Sequence, residues 1–188
     1  MTQEEFIKVL DKKGYSYEIE GDRIIVTEDG YVDLNALTSL SPGVEFKNGE
    51  DVGLGSLTSL PPGVVFENKG YVWLSALTSI SPDVVFKNEG YVDLSALTSL
   101  PPGVEFRNEG HVNLESLTSL SPGVEFKNGR DVYLESLTSL PPGVEFKNGD
   151  DVNLESLTGG WFKDWKGNIE GIDSKRLLNV MIKQGVFI

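Results

Sequence analysis

The sequence has 188 residues, no cysteine and a formal net charge of −13 at pH 7. This length predicts a single domain, and the lack of cysteine excludes disulfides and cysteine-based zinc or redox sites. The acidic balance argues against direct nucleic-acid binding, because affinity for phosphates comes from lysine and arginine; it favours a basic partner instead. The first residues lack the basic start of a signal peptide, and no run approaches the ~18 apolar residues of a membrane span. We therefore expect a cytoplasmic protein that does not bind membranes.

Residues 1–30 are predicted to form an N-terminal cap made of a helix and a hairpin. Thr2 and Glu5 have the spacing of a capping box for a short helix that ends at Gly14. Two alternating segments on either side of the turn at 20–22 are typical of a hairpin. The second of them falls in register with the repeats that follow, so we expect the hairpin to supply the first layer of a stacked structure.

Residues 31–158 repeat every 20 residues, in six full units and one half unit with the consensus x-V-x-L-x-x-L-T-S-L-x-P-G-V-x-F-x-N-x-G. Val32 with Leu34, and Val44 with Phe46, are two residues apart, which places each pair on one face of a strand. Proline and glycine separate the two pairs, and an Asn-containing turn closes the unit. One unit cannot bury its apolar side chains alone, but stacked units can. The pattern predicts an all-β chain with helical caps, a single-chain β-solenoid of 20-residue coils with two short strands per coil.

Two further features repeat along the coils. The second corner alternates between Ser-Pro and Pro-Pro, which suggests growth by duplication of a 40-residue pair. One asparagine recurs in every coil, and we expect it to form an internal hydrogen-bonded ladder or turn cap. These residues are Asn48, Asn68, Asn88, Asn108, Asn128 and Asn148.

Residues 159–188 are predicted to form a C-terminal cap, because the repeat breaks there and a solenoid end exposes strand edges and apolar columns. Trp161, Phe162 and Trp165 could plug the open core, and a helix is expected to follow them. A partner-binding end is the alternative interpretation of the three aromatics.

The recurring string LTSLPPGVEFKNG resembles a class of short-repeat proteins found in tailed-phage genomes, and the resemblance covers about residues 31–158. The string is remotely similar to the LPX-type leucine-rich repeats of secreted bacterial effectors. It departs from them because each unit carries two separate pairs of alternating apolar residues. We therefore do not expect the horseshoe fold of leucine-rich repeats. The phage resemblance implies a protein that binds and inhibits a host defence protein in the bacterial cytoplasm, and it brings no catalytic residues with it.

The sequence predicts no catalytic residue, cofactor or metal site. The only histidine is His111, and the common nucleotide-binding and metalloprotease motifs are missing. Glycan-cleaving β-helices use paired carboxylates along a groove, which here could come from Asp33, Asp51, Asp93, Glu115, Asp131 and Glu135. A solvated acidic face is the simpler interpretation of those side chains.

The outward positions of the first strand, here called the first-strand face, combine aromatic and acidic residues without any lysine or arginine. Aromatic anchors beside carboxylates suit a basic protein partner. The predicted protein-binding residues are Tyr31, Asp33, Tyr71, Trp73, Tyr91, Asp93, His111, Glu115, Tyr133 and Glu135. In contrast, the second-strand face, formed by the outward positions of the second strand, carries neighbouring acidic and basic columns that should offset each other.

The leading expectation is a non-enzymatic protein-binding repeat module, encoded by a phage, that inhibits a host protein with a basic surface. One alternative is an acidic partial mimic of DNA that competes for a DNA-binding enzyme, and another is a structural component of a virion. Sequence drift on an unused face would also produce the mixture of aromatics and acids. The pattern favours no particular oligomeric state.

Overall fold

The computed structural model describes residues 1–141 and 143–157. The predicted C-terminal cap, with its aromatic plug and helix, lies outside the described residues. Those residues form one N-terminal helix followed by a β-solenoid whose coils stack in the 20-residue register of the sequence.

Helix α1 spans Gln3–Lys13 and begins with the expected capping box. The Thr2 hydroxyl accepts a hydrogen bond from the Glu5 backbone N–H at 3.2 Å, and the Glu5 carboxylate accepts one from the Thr2 N–H at 2.8 Å. The helix ends at Gly14, whose φ of 72° is in the left-handed region that glycine tolerates best. Its inner face buries Phe6 and Leu10 against the solenoid core.

A hairpin joins the helix to the solenoid. Strands β1 (Tyr17–Glu20) and β2 (Arg23–Val26) pair antiparallel, and β2 then pairs parallel with β4 (Val44–Phe46). Ile24 is opposite Val44, and Val26 is opposite Phe46, as the repeat register predicts. The hairpin therefore supplies the first layer of the stack.

Two parallel sheets run the length of the described coils. The first-strand sheet has seven strands, which are β3 (Val32–Asp33), β5 (Val52–Gly53), β8 (Val72–Trp73), β11 (Val92–Asp93), β14 (Val112–Asn113), β17 (Val132–Tyr133) and β19 (Val152–Asn153). The second-strand sheet continues from the hairpin and β4 through β7 (Val65–Phe66), β10 (Val85–Phe86), β13 (Glu105–Phe106), β16 (Glu125–Phe126) and β18 (Glu145–Phe146).

Four coils carry a third strand, which the expectation of two strands per coil did not include. These corner strands are β6 (Ser59–Leu60), β9 (Ser79–Ile80), β12 (Ser99–Leu100) and β15 (Ser119–Leu120). They pair two by two, β6 with β9 and β12 with β15. The corner thus forms two separate small sheets rather than one continuous ladder.

The alternation of Ser-Pro and Pro-Pro explains this pairing. The Ser81 N–H donates to the Leu60 carbonyl at 3.0 Å, and the Ser121 N–H donates to the Leu100 carbonyl at 3.1 Å. The equivalent residue in the coil between them is Pro101. Because proline has no N–H, Pro101 cannot donate to the carbonyl of Ile80, and the corner ladder stops at that step.

The core consists of stacked apolar columns. The Phe column comprises Phe46, Phe66, Phe86, Phe106, Phe126 and Phe146, with ring centroids 5.2 to 5.3 Å apart. All six side chains are buried, as are most residues of the Val and Leu columns beside them; Leu37, Leu120 and Val152 are partly buried. This continuous contact is what a single coil could not provide alone.

The recurring asparagines form the predicted internal ladder. The Asn88 side-chain amide donates to the Gly70 carbonyl at 3.0 Å and to the Gly90 carbonyl at 2.9 Å, and the side chain is buried. Asn108 continues the ladder by donating to Gly90 and Gly110. Each asparagine therefore links the turn of its own coil to the turn of the coil before it, which satisfies carbonyls that would otherwise be buried without a partner.

Candidate protein-binding face

Three aromatic side chains form a cluster on the first-strand face. The ring centroids of Tyr71 and Trp73 are 5.6 Å apart, those of Tyr71 and Tyr91 6.1 Å, and those of Trp73 and Tyr91 5.8 Å. Tyr71 is 46% exposed and Trp73 37% exposed. Tyr71 directly precedes strand β8, and residues 71 and 73 point outward together because they are two apart along extended chain. The rings thus hold one another in place while presenting aromatic surface to solvent.

Tyr31 extends this aromatic surface across the next coil. Gly53 has no side chain, and a Cβ built there would lie 2.2 Å from the Tyr31 hydroxyl. The hydroxyl accepts a hydrogen bond from the Asn35 side-chain amide at 2.8 Å, and the Asn35 side-chain oxygen accepts one from the Gly55 N–H at 2.7 Å. Since residue 53 is the cross-strand neighbour of Trp73, Tyr31 reaches the layer next to the cluster.

Two aspartates border the cluster. Asp51 accepts a hydrogen bond from the Tyr71 N–H at 2.7 Å, which fixes its carboxylate at the base of that ring. Asp93 accepts one from the Ser95 N–H at 3.1 Å and is only 9% exposed. Asp93 is therefore much less exposed than its outward position predicts; Trp73 and Asn113 are its neighbours on the two adjacent strands.

Asp33 forms an ion pair with a lysine that lies outside the repeats, in the N-terminal helix. The Lys13 ammonium of helix α1 lies 3.9 Å from the Asp33 carboxylate and 5.9 Å from the centroid of the Tyr15 ring. The Tyr15 hydroxyl in turn accepts a hydrogen bond from the Asp33 N–H at 2.9 Å. At this end of the face, one of the chain's own cations lies near both an aromatic ring and a carboxylate.

His111 and Tyr133 belong to a second, separate group. Their rings are 5.9 Å apart, and both contact Asp131: the His111 Nδ1 lies 3.2 Å from its carboxylate, and the Tyr133 hydroxyl donates to it at 3.2 Å. The remaining two predicted residues lie outside both groups. Glu115 is exposed, and Glu135 accepts a hydrogen bond from the Asn153 amide at 3.0 Å.

Burial raises the pKa values of Tyr31, Tyr91 and Tyr133 on this face. For Tyr31 burial is the main cause, and the hydrogen bond from Asn35 opposes it. Burial is also the main cause for Tyr91, and for Tyr133 the nearby Asp131 adds to it. These phenols therefore keep their protons at neutral pH, so the tyrosines add no charge to the acidic residues around them.

The second-strand face differs because its charges are paired. Glu45 is buried between Arg23, at 2.9 Å, and Lys47, at 3.0 Å. The Lys87 ammonium lies 2.8 Å from the Glu67 carboxylate, and this hydrogen bond lowers the pKa of Glu67. Similar pairs follow at Arg107 with Glu105, Lys127 with Glu125 and Lys147 with Glu145. The predicted offsetting of charges on this face is confirmed.

Sequence reasoning missed Asn35, Gly53 and Gly55, which together position Tyr31. The sequence does carry a signal for the two glycines, because coil 51–70 has glycine at positions 53 and 55, where the other coils have larger side chains. Of the ten predicted residues, the structure brings Tyr31, Tyr71, Trp73, Tyr91 and Asp93 to adjacent layers, whereas His111 and Tyr133 form their own group.

Within residues 1–141 and 143–157, no group of three or more His, Asp or Glu side chains is arranged to hold a metal ion. The same part of the chain contains no helix with the length and hydropathy needed to cross a membrane. Comparison with models of known protein families, with curated proteins and with solved structures finds no match to this chain.

Proposed function

We propose that this chain is a non-enzymatic protein-binding repeat module whose first-strand face holds a basic segment of another protein. The observation that carries the proposal is the cluster of Tyr71, Trp73 and Tyr91, in which Tyr71 and Trp73 are exposed and which Asp51 and Asp93 border. Clustered aromatics of this kind are typical of the residues that dominate binding energy at protein interfaces.

The distribution of charge supports a basic partner. The ion pairs of the second-strand face largely cancel one another, whereas the outward columns of the first-strand sheet contain acids and no lysine or arginine. In the described part of the chain, Asp51 and Asp93 beside the aromatic cluster form no ion pair with a lysine or arginine. Such charges speed the encounter with a basic surface and disfavour acidic competitors.

The resemblance to phage short-repeat proteins supports a narrower version of the proposal, in which the partner is a host defence protein that the module inhibits in the bacterial cytoplasm. Inhibition would then follow from occupation of a basic functional surface. Partial mimicry of DNA is the other candidate, because a basic surface that binds nucleic acid would also attract this face. Duplex DNA carries one charge per ~1.7 Å of its axis, and aromatics interrupt the acids here, so the aromatic anchors favour a protein-like interface.

The test compares two sets of variants with the wild-type chain in capture from host lysate, followed by affinity measurement with the purified partner. Trp73→Ala with Tyr91→Ala should abolish capture and leave the melting temperature close to that of the wild type. Glu115→Gln with Glu135→Gln and Glu155→Gln should mainly slow association and flatten its dependence on salt. Val65→Ala with Val85→Ala, on the second-strand face, is the matched control and should bind normally.

The outcomes separate the candidates. If the carboxylate variant loses the partner while the aromatic variant keeps it, the DNA-mimic function is correct. If both variants capture the partner as well as the wild type does, the first-strand face is not the binding surface.

A further inference from the structure

We infer that the group this face binds is a guanidinium, supplied by an arginine side chain of the partner and placed on the Trp73 ring between the Tyr31 hydroxyl and the Asp93 carboxylate. This inference rests on the proposed function and specifies its central contact. It is argued from the arrangement of rings and oxygens around Trp73.

The rings around Trp73 suit a cation. Trp73 is inclined by 73° to the Tyr71 ring and by 59° to the Tyr91 ring, so the three rings do not lie flat against one another. Because the rings are tilted, none of them covers another completely, and parts of the Trp73 and Tyr71 side chains stay exposed to solvent. A cation within about 6 Å of such a ring is attracted by its negative face, and tryptophan is the strongest partner.

Oxygen acceptors flank Trp73 in both neighbouring layers. On one side, the Tyr31 hydroxyl occupies the space that a side chain at Gly53 would fill, and residue 53 pairs with Trp73. On the other side, Asp93 pairs with Trp73; one of its carboxylate oxygens accepts from the Ser95 N–H, and the residue keeps 9% of its surface exposed. A group above the ring would thus have an acceptor in each adjacent layer, and adjacent layers are about 4.8 Å apart.

These acceptors favour arginine over lysine. A guanidinium is planar, stacks on aromatic rings and carries five N–H donors that point in several directions in one plane. It can therefore lie on Trp73 and donate to both sides at once. A lysine ammonium is a compact and strongly hydrated point charge, which gains less from a flat ring with acceptors on two sides.

The chain already places a cation beside a ring and a carboxylate two coils away from Trp73, at Asp33. Lys13 lies near both the Tyr15 ring and the Asp33 carboxylate. Around Trp73, within residues 1–141 and 143–157, no lysine or arginine occupies the corresponding place. Lys13 thus provides a cation beside Asp33 within the chain. A cation beside the larger aromatic cluster would have to come from another molecule.

The test is an NMR titration of the full-length chain with three small probes, which are the N-acetyl, N-methylamide derivatives of arginine, lysine and citrulline. Citrulline has the shape of arginine without its charge. The indole N–H signal of Trp73 is assigned by loss in Trp73→Phe, since the chain has three tryptophans. Arginine should shift this signal at the lowest concentration, lysine should bind more weakly, and citrulline should have no effect.

The variants give the expected magnitude. Trp73→Leu should weaken arginine binding by about 3- to 30-fold, the range that corresponds to a partly desolvated cation–π contact. Asp93→Asn should also weaken it, because it removes the negative charge of the acceptor. Binding is followed for them through the Tyr91 ring signals. Lys87→Gln, on the second-strand face, is the control and should leave the affinity unchanged. Equal shifts with arginine and lysine, or an unchanged affinity in Asp93→Asn, would overturn the inference.

The experiments distinguish a failure of this inference from a failure of the proposed function. If none of the three probes shifts Trp73, while Trp73→Ala with Tyr91→Ala still abolishes partner capture, the face binds its partner without a guanidinium and only this inference is wrong. If arginine binds as expected but the double variant captures the partner normally, the cation site is real and the proposed function is wrong.

Discussion

Replacement of Phe86 by alanine tests the packing of the solenoid most directly. The side chain is fully buried, and its ring stacks on Phe66 at 5.2 Å and on Phe106 at 5.3 Å. Phe→Ala changes in a core cost about 3–5 kcal/mol, because they remove buried apolar surface and leave a cavity. We expect a loss of unfolding free energy in the upper part of this range, since each neighbouring ring also loses a stacking partner.

Phe46→Ala is the matched control, because Phe46 is equally buried but has a Phe neighbour on one side only. Its other neighbour in the sheet is Val26. The control should therefore lose less, by about 0.5–1.5 kcal/mol, the contribution of one aromatic pair.

Urea unfolding followed by circular dichroism measures both values, and hydrogen exchange of the flanking coils shows whether the damage spreads to its neighbours, as expected for a stack with nearest-neighbour contacts. A loss below about 1 kcal/mol for Phe86→Ala, well under the usual cost of an emptied core site, would refute the stacked-column reasoning. Equal losses for the two variants would refute the added contribution of the second ring.

Three other predictions follow from single contacts. Asn88→Ala should lower the unfolding free energy by about 1–3 kcal/mol, because the Gly70 carbonyl loses its side-chain donor and the Gly90 carbonyl keeps only the one from Asn108; denaturant unfolding at unchanged m-value checks this. Gly53→Ala should displace Tyr31, since its Cβ would lie 2.2 Å from the hydroxyl, and an unmoved Tyr31 ring signal in NMR would contradict the packing. Asp83→Gly should raise the melting temperature, because Asp83 has a φ of 65° where the other coils have glycine; a lower melting temperature would mean that its side chain stabilises the turn.

The architecture could be predicted because it depends on short-range patterns. Apolar residues two apart must share a face, and the same pattern every 20 residues leaves stacking as the only way to bury them. The register of Ile24 and Val26 with the repeats followed from the same spacing. The asparagine ladder was predictable for a similar reason, because a polar residue repeated once per coil usually has a structural role.

Other features depended on contacts between coils, which no single repeat displays. A corner strand such as Ser59–Leu60 is two residues long, with too few residues for an alternating pattern, and its pairing depends on whether the next coil has an N–H or a proline. The burial of Asp93 depends on Trp73 and Asn113 in the adjacent strands. The position of Tyr31 depends on a glycine 22 residues further along the chain.

The prolines at the corner give the solenoid unequal stiffness around its circumference. The first- and second-strand sheets connect every described coil to the next by backbone hydrogen bonds, whereas the corner sheets connect coils only in pairs. A bend that separates neighbouring coils should therefore open most easily at the corner, at the steps before Pro61, Pro101 and Pro141. Such a bend would curve the stack without breaking either long sheet, and the first-strand face would change its curvature with it.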